Sequence, residues 1–159
     1  MDEWVNQWRQ DGRLYVWRYA DPRRSWRGWH FTADPAGCRS IRNLLDRMHG
    51  GPACHRTARI EPVTEKILNV PNFGKKTVGG FEKLRIEYVP EFDDLRLEPE
   101  AAMLTMTIGA RRLRKLSAAF TEVEIGNGDF GIDTSDDRKS DPWMFWWMPD
   151  YNYHYGKRL

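Results

Sequence analysis

The sequence predicts an α+β domain with a mainly antiparallel sheet and two principal helices packed on one face. Three observations carry that reading. Apolar residues alternate with period two in short runs along the whole chain, two longer segments near residues 34–49 and 110–121 carry apolar residues at helical spacing, and turns containing Gly or Pro separate the runs.

The elements follow in order. Trp4, Val5 and Trp8 fall at helical spacing, so residues 1–10 read as an N-terminal helix or arm. Asp11-Gly12 is a turn. Residues 13–19 place Leu14 and Val16 on one face and Tyr15, Trp17 and Tyr19 on the other, which is a strand. Residues 21–25 form a polar connection, and residues 26–32 make a second strand that completes a hairpin. Asp34-Pro35 opens the clearest helix: Asp accepts from free first-turn amides, and Pro fits the first helical position. Cys38, Ile41, Leu44, Leu45 and Met48 form its apolar stripe, and Gly50-Gly51-Pro52 stops it. Residues 56–61 read as a short strand, residues 63–69 as helix or loop, and residues 71–80 as a mobile loop rich in Gly and Lys. Strands around Leu84–Tyr88, Leu95–Leu97 and Leu104–Ile108 have short links, which predicts an antiparallel meander. Gly109 leads into the second helix, striped by Leu113, Leu116 and Phe120. A turn at Gly126-Asn127-Gly128, a strand at Phe130–Ile132 and a polar loop over 133–142 follow. Residues 143–148 are apolar on both faces, as an interior strand requires. Residues 150–159 read as a loosely ordered tail of the single domain 1–159.

Both helices carry Arg-x-Ile/Leu-Arg-x-Leu, at Arg39–Leu44 and Arg111–Leu116, and each half reads as strands followed by a helix. Any basic amphipathic helix produces that spacing, so the echo is a hint of repetition and nothing stronger.

Composition bounds the function classes. With 25 basic and 23 acidic side chains the net charge is +2, and the pI of about 8.6 lies below the range usual for nucleic-acid modules. Two cysteines do not make a disulfide framework, the N-terminus lacks a secretory pattern, and no apolar run has membrane-spanning length; a cytoplasmic location is expected.

Candidate chemistry is thin. His49, Cys54 and His55 have only the loosest metal spacing and lack a paired C-x₂-C; a surface loop is the expected setting, with Cys38 in the core. Gly74-Lys75-Lys76-Thr77 lacks the glycine and the Lys-Ser/Thr pair of a phosphate loop. The acidic residues between Asp129 and Asp141 do not alternate as calcium ligands do. His30 precedes Asp34 without a placed nucleophile. No catalytic residue, metal or cofactor is assigned.

Eight tryptophans are too many for one core of this size to hold without crowding, and arginine and tryptophan are the residues of interface hot spots. Arg23, Arg24, Trp26 and Trp29 are therefore assigned as partner-binding residues. The partner is another protein or a second copy of the chain, and no membrane is involved. Two alternatives stand beside this non-enzymatic reading. One is nucleic-acid binding through the same Arg and Trp residues, extended by Arg111, Arg112, Arg114 and Lys115. The other is an enzyme with a spatially assembled site.

The stretch Gly126-Asn127-Gly128-Asp129-Phe130-Gly131-Ile132, followed by Trp143-Met144-Phe145-Trp146-Trp147, resembles the ending of small bacterial proteins, some of them immunity partners of toxins. The resemblance is confined to those residues and implies no site residues. It implies a bacterial protein that acts by covering a partner with a surface.

Overall fold

The computed structural model describes residues 3–21 and 26–151. Its elements are α1 (Glu3–Asn6), β1 (Leu14–Trp17), β2 (His30–Ala33), α2 (Pro35–Met48), β3 (Cys54–Arg59), α3 (Glu65–Leu68), β4 (Lys83–Tyr88), β5 (Leu95–Glu100), β6 (Met103–Ile108), α4 (Ala110–Glu124), β7 (Phe130–Ile132) and β8 (Trp143–Phe145). The α+β class holds, but there are two four-stranded sheets, and both are mixed. One runs β1-β2-β8-β7 and the other β3-β4-β6-β5. In each, an inner parallel pair is flanked by antiparallel neighbours: β2 lies parallel to β8, and β4 to β6. The expected meander over β4, β5 and β6 is thus corrected. β6 lies between β4 and β5, because the two-residue turn at Ala101-Ala102 folds β5 back onto the far edge of β6.

The two sheets have the same connectivity. Apart from the one-turn α3 inserted between β3 and β4, the segments β1-β2-α2-β3-β4 and β5-β6-α4-β7-β8 are each strand-strand-helix-strand-strand. Exchanging one segment for the other converts the order β1-β2-β8-β7 into β5-β6-β4-β3, with every parallel and antiparallel pairing retained. Each segment therefore gives one hairpin to each sheet. Register fixes the equivalent residues: Leu14 pairs with Ala33 as Leu95 does with Ile108. From there Cys38, Ile41, Leu44, Leu45 and Met48 answer to Leu113, Leu116, Ala119, Phe120 and Val123, all buried. Both helices start one residue after a strand and leave through a glycine at positive φ, Gly50 and Gly126. The Arg-x-Ile/Leu-Arg-x-Leu motifs are one turn out of this register: they match Ile41 to Leu113, whereas its counterpart is Leu116.

The helix starts differ in one respect. Asp34 caps α2 with its carboxylate, which accepts from Gly37 N at 2.8 Å and from Arg13 N at 2.9 Å. Its counterpart Gly109 has no side chain, and a Cβ there would lie 2.0 Å from the Phe92 carbonyl oxygen. The first amide of α4 donates instead to the Pro90 carbonyl at 3.1 Å.

α2 and α4 pack along each other, and Arg39 and Arg42 reach across to Glu124. The helix stripes and the inner faces of both sheets form one core that includes Phe31, Phe120, Trp143 and Phe145. A second cluster lies on the outer face of the β1-β2-β8-β7 sheet, where Tyr15, Trp17, Tyr19 and Trp146 are covered by Ile67 and Leu68, with Val63, Val70 and Phe73 packed against it. Two hydrophobic layers, not one, accommodate the indoles. Trp8, Trp17, Trp29, Trp143 and Trp146 are buried, Trp26 and Trp147 are half-buried, and Trp4 is exposed.

Candidate functional site

Of the sequence-assigned binding residues, the structure places Trp26 and Trp29, both in the segment joining β1 to β2 at one end of the β1-β2-β8-β7 sheet. Arg23 and Arg24 lie outside the described residues. Trp26 is half-buried and stacks on Phe73 with ring centroids 4.4 Å apart and planes at 12°. Trp29 is 7% exposed and belongs to the main core, so only its edge faces outward.

That edge is the floor of an open cleft of about 500 Å³, lined by Arg18, Tyr19, Arg27, Trp29, Asp141 and Trp143 among others. β1 ends here, while β2 and β8, which are parallel, both begin here. Side chains just beyond three strand ends therefore meet around one opening. The Arg18 guanidinium lies 4.8 Å from the centroid of the Trp29 ring, a cation–π arrangement that holds it over the floor. Arg18 Nε is buried and has no hydrogen-bond partner among the described residues. Arg27 is exposed and meets Asp141 at 3.4 Å. A pair this solvent-exposed contributes little and exchanges readily for another acceptor. The cleft therefore presents two cations and one carboxylate above an aromatic floor. Arg18 carried no signal in the sequence, where it fell within the strand expected over residues 13–19; β1 ends at Trp17 and leaves Arg18 just beyond it.

Behind the cleft sits His30, fully buried on the outer face of the same sheet. Trp146 Nε1 donates to its Nδ1 at 3.0 Å, and its Nε2 lies 3.0 Å from the Trp26 carbonyl oxygen. The ring is thus the neutral tautomer with its proton on Nε2. Trp17 and Trp146 stack near-parallel with it, and Tyr19 and Phe73 meet it edge-on. Burial lowers its pKa to about 4, against a smaller raising effect of the Trp26 carbonyl. Both nitrogens are engaged, so the imidazole locks the joint between β8 and the Trp26 segment. Burial raises the Tyr19 phenol, and the nearby Trp17 N–H partly opposes that rise. The two atoms nevertheless miss hydrogen-bond geometry. Trp17 Nε1, Tyr19 Oη and Thr32 Oγ1 are all buried with no hydrogen-bond partner among the described residues.

The remaining candidates disperse. Cys54 opens β3 and is buried, so it does not lie on a surface loop with His49, and both cysteines are free. Cys38 is buried in α2, where desolvation pushes its thiol strongly up. Among the described residues, no three His, Cys, Asp or Glu side chains form a metal-holding group. Arg111 and Arg112 are bound to Asp136, and Arg112 also donates to the carbonyls of Asp93 and Asp133, so they tie α4 to two loops. No helix among the described residues is long and apolar enough to cross a membrane.

Compared with protein-family models, with curated proteins and with solved structures, the chain matches none. The class it defines is structural: an α+β domain of two interleaved strand-strand-helix-strand-strand segments.

Proposed function

We propose that this protein acts as a non-enzymatic binder of another protein, and that an acidic segment of the partner enters the cleft between Arg18 and Arg27. The observation that carries the reading is the charge imbalance there: two guanidinium groups, Arg18 over the Trp29 ring and Arg27 beside it in the cleft lining, face a single carboxylate, Asp141. A carboxylate of the partner satisfies Arg18 and displaces Asp141 from Arg27, giving charge-assisted contacts beside an aromatic surface. The outward part of Trp26 extends the surface along the same segment. Immunity-type inhibitors, the class that the C-terminal stretch resembles, work in this way, by occluding a toxin.

The test is affinity capture with the full chain, identification of the retained protein, and measurement of its binding to the wild type and to Arg18→Glu/Arg27→Glu. Reversing these charges is expected to weaken binding at least about tenfold and to abolish or invert the weakening by salt seen with the wild type. Equal affinity of the two chains overturns the reading. So does retention of single-stranded DNA in place of any protein, because that assigns the arginines to phosphates.

A further inference from the structure

We propose that residues 63–80 are a lid that opens as one unit from the aromatic outer face of the β1-β2-β8-β7 sheet, anchored at its end by Phe81 against Trp29 of the main core and with Phe73 stacked on Trp26 as its latch.

The internal repetition supplies the comparison. The equivalent outer face of the β3-β4-β6-β5 sheet is polar and uncovered, carrying Arg85 and Glu87 in an ion pair, Arg96 and Glu98 in another, and Thr105. That face satisfies itself in water. The other carries Tyr15, Trp17, Tyr19, His30 and Trp146 and needs a cover, and residues 63–80, in the connection from β3 to β4, provide it.

Three features show how loosely this cover is fastened. Its edge is held by a short set of backbone contacts: Ala20 N donates to Lys76 O, Val78 N donates to Arg18 O, each at 3.0 Å, and Tyr19 bridges to Thr77. The ion pair that ties it outward, Lys66–Asp150, is exposed and adds little. Gly74 and Gly80 lie at φ +124° and +88°, and a Cβ at either would meet nothing, so these joints are open to rotation and not wedged by neighbours. Beneath it, the unpartnered Trp17 Nε1, Tyr19 Oη and Thr32 Oγ1 penalise closure, since each buried polar group without a partner costs free energy that water repays on opening. What closes the lid is apolar contact by Ile67, Leu68 and Phe73, with Phe73 the one that grips the Trp26 segment.

Native-state hydrogen exchange on the full chain at neutral pH tests this. The amides of Ala20 and Val78, whose bonds cross between the lid and the chain after β1, are expected to share one protection factor, about 100-fold or more below that of the β4–β6 ladder. Phe73→Ala is expected to lower the first set by about tenfold further and leave the ladder unchanged. Separate protection factors within the set, one common factor for set and ladder, or equal acceleration of both by Phe73→Ala would each overturn the proposal. Should Phe73→Ala fail to fold, the wild-type comparison decides alone.

Discussion

Acidification provides a sharp test of how His30 is held. In the folded chain its pKa is about 4, whereas an imidazole in the unfolded chain titrates near 6.5. The folded pKa is the depressed one, so the folded state excludes the proton that the unfolded state takes up. Stability is therefore intact above about pH 6.5, falls as pH drops toward 4, and levels off once the folded ring also protonates. By about pH 4.5 the pH lies roughly two units below the unfolded pKa and still above the folded one, which at 1.36 kcal/mol per unit is a loss of roughly 2–3 kcal/mol. Protonation also turns Nδ1 from an acceptor into a donor, which sets it against the Trp146 N–H it now receives. The assay is urea unfolding followed by tryptophan fluorescence, across about pH 7.5 to 4.5, for the wild type and for His30→Gln. Glutamine keeps one acceptor and one donor but does not titrate. Carboxylate titrations are common to both chains and cancel in the difference. The wild type should lose roughly 2–3 kcal/mol more than the variant over that range. Parallel stability curves would show that the imidazole is not held neutral by burial, and the account of the joint between β8 and the Trp26 segment would fail.

Two further outcomes follow from the packing. Arg112 is buried and donates to the Asp93 and Asp133 carbonyls and to Asp136, so Arg112→Met should cost about 2–4 kcal/mol, and Arg112→Lys should recover little, because the three donors of an ammonium share one nitrogen and cannot span acceptors spaced for Nε, Nη1 and Nη2. Chemical denaturation measures both; a loss under about 0.5 kcal/mol for the Met variant would remove Arg112 from the scaffold. Ala101 sits at φ +54° in the turn between β5 and β6, so Ala101→Gly should gain about 0.5–1 kcal/mol by relieving the left-handed strain, read as a rise of a few degrees in Tm. An unchanged or lower Tm would mean that the strain is absent.

Much of the fold was legible because residue periodicity reports faces directly. Leu14 and Val16 against Tyr15, Trp17 and Tyr19 divide as the alternation predicts, and the stripes of α2 and α4 are the buried ones. The Asp34 cap and the Gly50-Gly51-Pro52 stop frame α2 closely. Strand partners were not legible, because period two says which side is buried and nothing about which neighbour lies alongside. Adjacent strands β4, β5 and β6 thus read as a meander when β4 and β6 are in fact parallel partners. β2 begins at His30 and not at residue 26, because Gly28 lies at positive φ and interrupts the extended run. The candidate site was half visible. Its segment was found from the clustering of Arg with Trp, but Trp29 packs into the main core and the cleft's central cation is Arg18. A usable signal was present in β1, which is apolar on both faces. A strand of that kind needs a cover on each side, and Ile67, Leu68 and Phe73, in a stretch ambiguous by pattern, were the residues available to provide one.

The interleaving of the two halves also governs how the chain comes into being. During synthesis β1 and β2, and then β3 and β4, leave the ribosome before any partner for the inner edges of β2 and β4 exists. Those edges hold unpaired amides and carbonyls beside large apolar side chains, the combination that invites pairing with another nascent chain. One sheet is completed when β6 emerges, but the other waits for β8, so the aromatic layer around His30 is among the last parts of the molecule to become whole.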